Sequence, residues 1–201
     1  MRKYNDYNLY KSYNRYNKSK TFGFTLVELL VVITIIGILS SVGLGTFTSS
    51  QMKSRDARRK TQLKQLTDAF EAYYNDKGGY PADDGAGNFL ACGIDAEDAC
   101  VWGTSAMENT TTGTVYMVKL PQDPTLGLIY FYDAGAPVAG LITSFQLYAR
   151  LENTNDSAVA KDADLNPQVF QNLDCGSKSC NYGVSSSNTH PQTGRTLVDD
   201  E

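Results

Sequence analysis

The stretch Lys20-Thr21-Phe22-Gly23-Phe24-Thr25-Leu26-Val27-Glu28 joins a basic segment to a long apolar one. Residues 1–23 carry six lysines and arginines and a single aspartate. The next 24 residues, 24–47, carry Glu28 as their only charged side chain. Because a carboxylate on an apolar helix is costly in a membrane, Glu28 needs a partner. Cleavage after Gly23 would expose a positive amine on Phe24, which a neighbouring copy could place against Glu28.

The apolar stretch is long enough to cross a membrane as a helix. From Leu29 to Phe47 there are 19 uncharged residues. As a helix they span about 28 Å, close to the thickness of a bilayer core of roughly 30 Å. We therefore predict a transmembrane or filament-core helix over residues 24–50. Residues 1–23 are predicted to be a basic leader that is cleaved. This leader is not an ordinary secretory signal, because it contains no apolar region of its own before the cut.

A second, amphipathic helical segment is predicted over residues 51–77. Leu63, Leu66, Phe70 and Tyr73 recur at spacings of three and four, which places them on one helical face. Two glycines follow Lys77 and end the helix. A helix from residue 24 to residue 75 would be about 78 Å long. No small domain can bury that length, so the first half is expected to lie in a membrane or among other subunits.

The remainder of the chain predicts a loop followed by a small sheet. Residues 78–126 are rich in small and polar residues and are interpreted as a connecting loop. Residues 127–184 are predicted to form an antiparallel β-sheet region. Residues 185–201 form a polar tail that we expect to be loose. The expected fold class is α+β, with a long N-terminal helix, half membrane and half amphipathic, packed on a small C-terminal antiparallel sheet.

Two strands of that sheet can be placed from their patterns. Residues 128–132 are aromatic and aliphatic, and residues 144–151 alternate between apolar and polar. The segment between them is rich in glycine, alanine and proline, which indicates a hairpin. Residues 181–184 are predicted to add a third or edge strand.

The junction at Gly23 resembles the N-terminus of the type IV pilin and type II secretion pseudopilin superfamily. The resemblance covers residues 20–40 most closely and continues loosely to Tyr80-Pro81. It implies that a prepilin peptidase cuts after Gly23 and N-methylates Phe24. It also implies that Glu28, as the fifth residue of the mature chain, acts in subunit assembly. The fold it implies is pilin-like.

The resemblance implies a structural subunit, a prepilin, of a type IV pilus-like filament rather than an enzyme. Its partners would be identical or related pilin subunits, the prepilin peptidase and N-methyltransferase, and the assembly machinery. The chain would cross the cytoplasmic membrane once, with its C-terminal part outside, before it enters a cell-surface filament. Two alternatives stay open: a type II secretion pseudopilin of a periplasmic pseudopilus, and a membrane-anchored extracellular binding domain that does not polymerise.

The four cysteines favour two disulfides in an exported domain. They all lie in the polar part of the chain, and an even number is typical of oxidising compartments. The pairs Cys92–Cys100 and Cys175–Cys180, each closing a short loop, are favoured among three connectivities. Zinc is the rival explanation, but these spacings fit zinc ligands poorly and His190 is the only histidine.

A basic cluster, Lys53–Lys60, holds five lysines and arginines and one aspartate. It is compatible with contact to anionic lipid headgroups, with pairing to acidic groups of neighbouring subunits, with DNA binding, and with a solvated helix face. DNA binding is the least favoured of these. From residue 61 onward the chain has 7 basic and 19 acidic residues, an excess that argues against nucleic acid as a partner of the bulk surface.

One short segment is a candidate metal site, and no segment is a candidate for catalysis. Asp162, Asp164 and Asn166 place oxygen ligands at alternate positions, as calcium loops do. Type II secretion pseudopilins often carry calcium in this region, yet the usual glycine and distal glutamate are missing. No paired nucleophile, phosphate loop or dinucleotide fingerprint occurs. We therefore expect no cofactor apart from a weak calcium candidate, and no enzymatic activity.

Overall fold

The computed structural model describes residues 23–200, without the side chains of residues 41–46. The predicted leader, apart from Gly23, therefore lies outside the described residues. Two units are present: the first ends at Gly45, and the second begins at Thr46. The principal helix, α1, runs over Leu26–Lys77. Gly78 ends it in a left-handed conformation (φ 78°) and donates its backbone N–H to the Tyr74 carbonyl.

Ten short strands follow the helix, with a 3₁₀ turn at Ile94–Ala96. The strands are β1 (Ala82–Asp83), β2 (Phe89–Cys92), β3 (Asp98–Ala99), β4 (Met107–Asn109), β5 (Thr114–Met117), β6 (Phe131–Ala134), β7 (Phe145–Ala149), β8 (Gln168–Phe170), β9 (Tyr182–Ser185) and β10 (Leu197–Asp199). All strand pairs are antiparallel, and they form the sheets β1-β2-β3, β4-β5, β6-β7-β9 and β8-β10. The α+β class is confirmed.

The helical stripe predicted from the sequence is the centre of the second unit. Leu63, Leu66 and Phe70 are fully buried, and Tyr73 is nearly so. The Phe70 ring contacts three other aromatic rings, with centroid distances of 4.9 to 5.1 Å, and these belong to Phe89, Tyr132 and Phe145. Such edge-on and tilted aromatic contacts add to the burial of apolar area.

The sheet β6-β7-β9 matches the predicted hairpin with a third strand. β7 is the central strand, and β6 and β9 pair with its two sides. All five residues of β7 are buried, because one face packs on the helix and the other is covered by the chain that follows. The predicted first strand, residues 128–132, is displaced toward the C-terminus, since β6 begins at Phe131.

Two segments are more structured than the sequence suggested. The region 78–126, interpreted as a loop, contains five of the short strands. The polar tail is also held in place over residues 185–200. Its strand β10 pairs with β8, and buried Gln146 donates its side-chain amide to the carbonyls of His190 (2.6 Å) and Thr193 (3.0 Å). The expectation of a loose tail fails because its partners are distant side chains, which a local pattern does not reveal.

Candidate functional site

The start of α1 is closed by a reciprocal pair of hydrogen bonds between Thr25 and Glu28. The Thr25 backbone N–H and hydroxyl both donate to Glu28 Oε2, at 2.8 Å each. The Glu28 backbone N–H donates to the Thr25 hydroxyl oxygen at 3.2 Å. This arrangement is a capping box, which satisfies backbone donors that the first helical turn leaves without partners. The carboxylate also lies at the positive end of the helix dipole.

The capping box uses only one oxygen of Glu28. Both donors from Thr25 go to Oε2, and Oε1 accepts no hydrogen bond from a residue between positions 23 and 200. Glu28 can therefore cap its own helix and accept a cation at the same time. Our sequence prediction treated Glu28 only as an assembly residue and missed the cap. The signal was present, because Thr-x-x-Glu before an apolar run is the capping-box pattern.

The residues around the predicted cleavage point are open. A methyl group placed on Gly23 would meet no other described atom within 4 Å. The Phe24 side chain is 83% exposed. A protease needs close access to the backbone on both sides of the bond that it cuts, and neither residue obstructs it. That Gly23 and Phe24 are processed remains a prediction.

The apolar side chains that follow Glu28 are exposed over the whole described part of the first unit. Their exposed fractions run from 45% to 68% over residues 29–39. Within the residues whose side chains are described, no helix has the length and hydropathy required to cross a membrane. The predicted span, 24–50, includes residues 41–46, whose side chains lie outside the described part.

The basic cluster divides into an internal group, Arg55, Arg59 and Lys60, which pair with carboxylates of the chain, and an external group, Lys53 and Arg58, which is exposed. Arg59 is completely buried and donates to Asp123 Oδ1 and Oδ2 (2.7 and 2.8 Å) and to Asp56 Oδ1 (2.7 Å). Arg55 forms two hydrogen bonds with Glu152, at 2.8 and 2.5 Å, and Lys60 contacts Asp156 at 2.7 Å. These pairs join the helix to the loops that precede β6 and follow β7.

The pKa values in this network show that the charged forms of its residues are stabilised. Burial alone would lower the pKa of Arg59, but hydrogen bonds and opposite charge from Asp123, Glu152 and Asp56 raise it on balance. The hydrogen bonds from Arg55, followed by those from Thr125 and Arg59, lower the pKa of Glu152 to about 2. The paired arrangement of Arg59 and its carboxylates is held in place, because removal of either partner would leave a buried charge without its counter-charge. Sequence reasoning did not find this network, since Asp123 and Glu152 are remote from Arg59 along the chain.

Two disulfide bonds close short loops at opposite ends of the strand region. Cys92 is bonded to Cys100, and Cys175 to Cys180. All four residues are buried, and each pair belongs to one of the two apolar clusters of the second unit. Each bond restricts the unfolded chain by closing a small loop, which contributes about 2–3 kcal/mol to the stability of the fold.

The carboxylate of Asp162, the first residue of the calcium candidate, accepts hydrogen bonds from its own loop. Asp162 Oδ1 accepts the backbone N–H groups of Asp164 (2.9 Å) and Asn166 (2.7 Å), and Asp162 Oδ2 accepts the Asn166 side-chain amide (2.9 Å). Donors therefore point at the carboxylate where a calcium ion would need further oxygen atoms. Among residues 23–200 no group of three acidic, cysteine or histidine side chains is placed to hold a metal. Calcium binding by Asp162, Asp164 and Asn166 stays a prediction.

Comparison with known proteins points to filament subunits. Residues 18–44 match the prokaryotic N-terminal methylation motif. A type IV major pilin protein, PilA of Myxococcus xanthus, is 40% identical over 58 residues, which cover 29% of this chain and 26% of that protein. The fimbrial protein EcpC of Eikenella corrodens is 31% identical over 110 residues, which cover 53% of this chain and 72% of that protein. No solved structure matches the chain.

The long N-terminal helix, the small antiparallel sheets and the methylation motif define a pilin-like α+β protein. The chain belongs to the type IV pilin superfamily, because it covers most of the Eikenella fimbrial protein at this identity. It spans only about a quarter of the Myxococcus pilin, with which it shares a segment of 58 residues.

Proposed function

We propose that this protein is the structural subunit of a type IV pilus-like filament, made as a prepilin and polymerised through its N-terminal helix. The observation that carries the proposal is the exposed apolar surface of residues 24–39, which begins within the matched methylation motif. A surface of this size is unfavourable in water, so it must be covered by lipid before assembly and by other subunits afterwards.

Glu28 is proposed to set the axial position of each subunit. Cleavage after Gly23 would create an ammonium group on Phe24, and that group on one copy would bind Glu28 of another. The capping box supports this role, because it holds the carboxylate in one orientation while Oε1 stays available. In an apolar filament core a charged pair is stronger than in water and depends on correct register. Burial of the apolar surface then provides the attraction between subunits, and the charged pair fixes the axial offset of one subunit from the next.

The proposed processing requires a prepilin peptidase that also methylates the new N-terminus. Before assembly the chain is proposed to reside in the cytoplasmic membrane with its second unit outside, where the two disulfides are stable. Mass analysis of the mature N-terminus tests this step. We expect a chain that begins at methylated Phe24. Recovery of a chain with its first 23 residues intact would contradict processing.

The assembly step is tested by Glu28→Ala in a strain that forms fibres from the unaltered chain. We expect filament yield to fall to a small fraction, while the amount of subunit in the membrane stays the same. Asp68→Ala is the matched control, since Asp68 is an exposed acid on the same helix whose described ion pair, with Lys64, is long at 3.9 Å. Equal fibre yield from the Glu28 variant and the control would contradict the proposed role.

A further inference from the structure

One cleft on the second unit is lined by two cations that form no ion pair within residues 23–200. Arg58 on α1 and Lys119 after β5 line a cleft of about 340 Å³, together with Gln62 and Gln122. Both cations are exposed. Gln62 is fixed in place, because it accepts a hydrogen bond from Tyr130 (2.5 Å) and its amide lies 3.4 Å from the Gln122 carbonyl.

Arg58 and Lys119 differ from the other basic residues around them. Arg55, Arg59 and Lys60 are all paired with carboxylates of their own chain. Arg58 and Lys119 form no ion pair with any residue between positions 23 and 200. Two like charges on one concave surface raise the local potential and favour an anion from outside the chain.

The chain carries a matching acidic loop elsewhere on the same unit. Asp95, Glu97 and Asp98 are exposed, and none of them has an ion pair within the described residues. The loop is closed at its base by the Cys92–Cys100 bond. It also presents Ile94, which is 70% exposed. A short loop fixed by a disulfide loses little conformational freedom when it docks.

The loop and the cleft are two different surfaces of the second unit. The loop lies at the turn between β2 and β3, whereas the cleft is formed by α1 and by the segments around Gly103 and after β5. Contact between two different surfaces of one chain is heterologous, which is the kind of contact that can repeat along an open filament.

We propose that the Arg58–Lys119 cleft of one copy binds the acidic disulfide loop, residues 94–98, of a second copy. This interface rests on the proposed filament function and adds to it a contact between the folded units, separate from the N-terminal helices. Its charges are exposed, so salt weakens the contact. It supplies specificity for the correct neighbour more than total binding strength.

Charge exchange tests the interface in filaments of the full chain. Arg58→Glu with Lys119→Glu is expected to lower fibre yield about tenfold or more, since like charges then face each other. Glu97→Lys with Asp98→Lys is expected to lower it similarly. The chain that carries all four changes is expected to recover most of the yield. Lys161→Glu with Lys178→Glu is the matched control, because both lysines are exposed and lie outside the cleft.

A second measurement does not depend on yield. Lys119→Cys on one set of chains and Glu97→Cys on another are assembled together and oxidised, and we expect a crosslinked pair of one chain from each set. Unchanged yield after either charge reversal, or no crosslink in intact fibres, overturns the interface while the filament function stands. The interface is also overturned if the variant with Arg58→Glu and Lys119→Glu forms fibres in normal yield and these fibres no longer bind duplex DNA or vesicles of anionic lipid. If the unaltered chain forms no fibre, the proposed function fails first.

Discussion

The two parts of α1 use the same kinds of side chain for opposite purposes. In residues 24–39 the large apolar side chains are between 45% and 83% exposed. In residues 63–73 the large apolar side chains are at most 9% exposed, and they pack against strands of the same chain. Leucine and phenylalanine are equally apolar in both places. The difference is whether the chain supplies its own partner surface, and that decides which part stabilises the subunit and which part is available for association.

Charged residues show the same division. Arg59 is enclosed by carboxylates of its own unit, while its neighbour Arg58 faces solvent in a cleft. Adjacent positions on a helix point about 100° apart, so one basic cluster can contribute both to the interior and to an outer surface. The four interpretations of this cluster were stated for it as a whole, whereas the structure gives its members different surroundings.

The largest effect is expected from Phe70→Ala. Removing a ring that contacts three aromatic neighbours leaves a cavity and should lower the free energy of unfolding by about 3–5 kcal/mol. Chemical denaturation of the full chain in detergent solution, followed by near-ultraviolet circular dichroism, measures it. Ile36→Ala is the control, since Ile36 is 56% exposed. If both variants unfold alike, the two parts of the helix do not differ as described.

Arg59→Ala should lower the free energy of unfolding by about 3 kcal/mol, because Asp56 and Asp123 are left buried without their cation. The same denaturation measurement applies. Arg58→Ala, one position earlier and exposed, should change the free energy by no more than about 0.5 kcal/mol. Equal losses from the two variants would contradict the division of the basic cluster into internal and external groups.

Acid should weaken the second unit through Glu152. Its pKa in the folded state is about 2, below the ordinary value of 4.5. The stabilisation is therefore complete above the unfolded pKa and is lost as pH falls from 4.5 toward 2. We expect a loss of about 1–2 kcal/mol between pH 5 and pH 3 from this group. Glu152→Gln should flatten the pH dependence in that interval, and an unchanged slope in the variant would exclude Glu152 as its source.

The smallest effect is expected at the start of the helix. Thr25→Ala removes the capping box and should destabilise the first turn by about 1 kcal/mol. Faster amide hydrogen exchange at Glu28 measures this. Thr34→Ala is the control, because the Thr34 hydroxyl donates to the Val31 carbonyl inside the helix and caps nothing. No difference in exchange between the two variants would show that the cap does not hold the turn.

The parts of the fold that followed from local pattern were the helix and the central hairpin. The spacing of Leu63, Leu66, Phe70 and Tyr73 predicted the buried face, and the alternation over residues 144–151 predicted β7. These succeed because helical and strand periodicities are properties of neighbouring residues. The small strands between residues 78 and 126 were not predicted, since two- to four-residue strands have too little pattern to distinguish them from a loop.

The candidate site divides in the same manner. Gly23, Phe24 and Glu28 could be selected from the sequence, because a single charge in an apolar run is visible without a structure. The hydrogen bonds that Asp162 accepts from Asp164 and Asn166 could not, because spacing identifies oxygen atoms but not the donors that reach them. The presence of Arg58 and Lys119 in one cleft was equally hidden, since they are 61 positions apart.

The sequence alone determined that this chain has a long N-terminal helix with one acid in an apolar surface, because helical period and hydropathy are local quantities. It likewise determined the family, through the residues around Gly23. Only the tertiary structure decided which charges are internal, how the C-terminal segment is held against β7 and β8, and which cations form no ion pair within residues 23–200. Those outcomes depend on contacts between residues far apart in the chain, and folding alone brings such residues together.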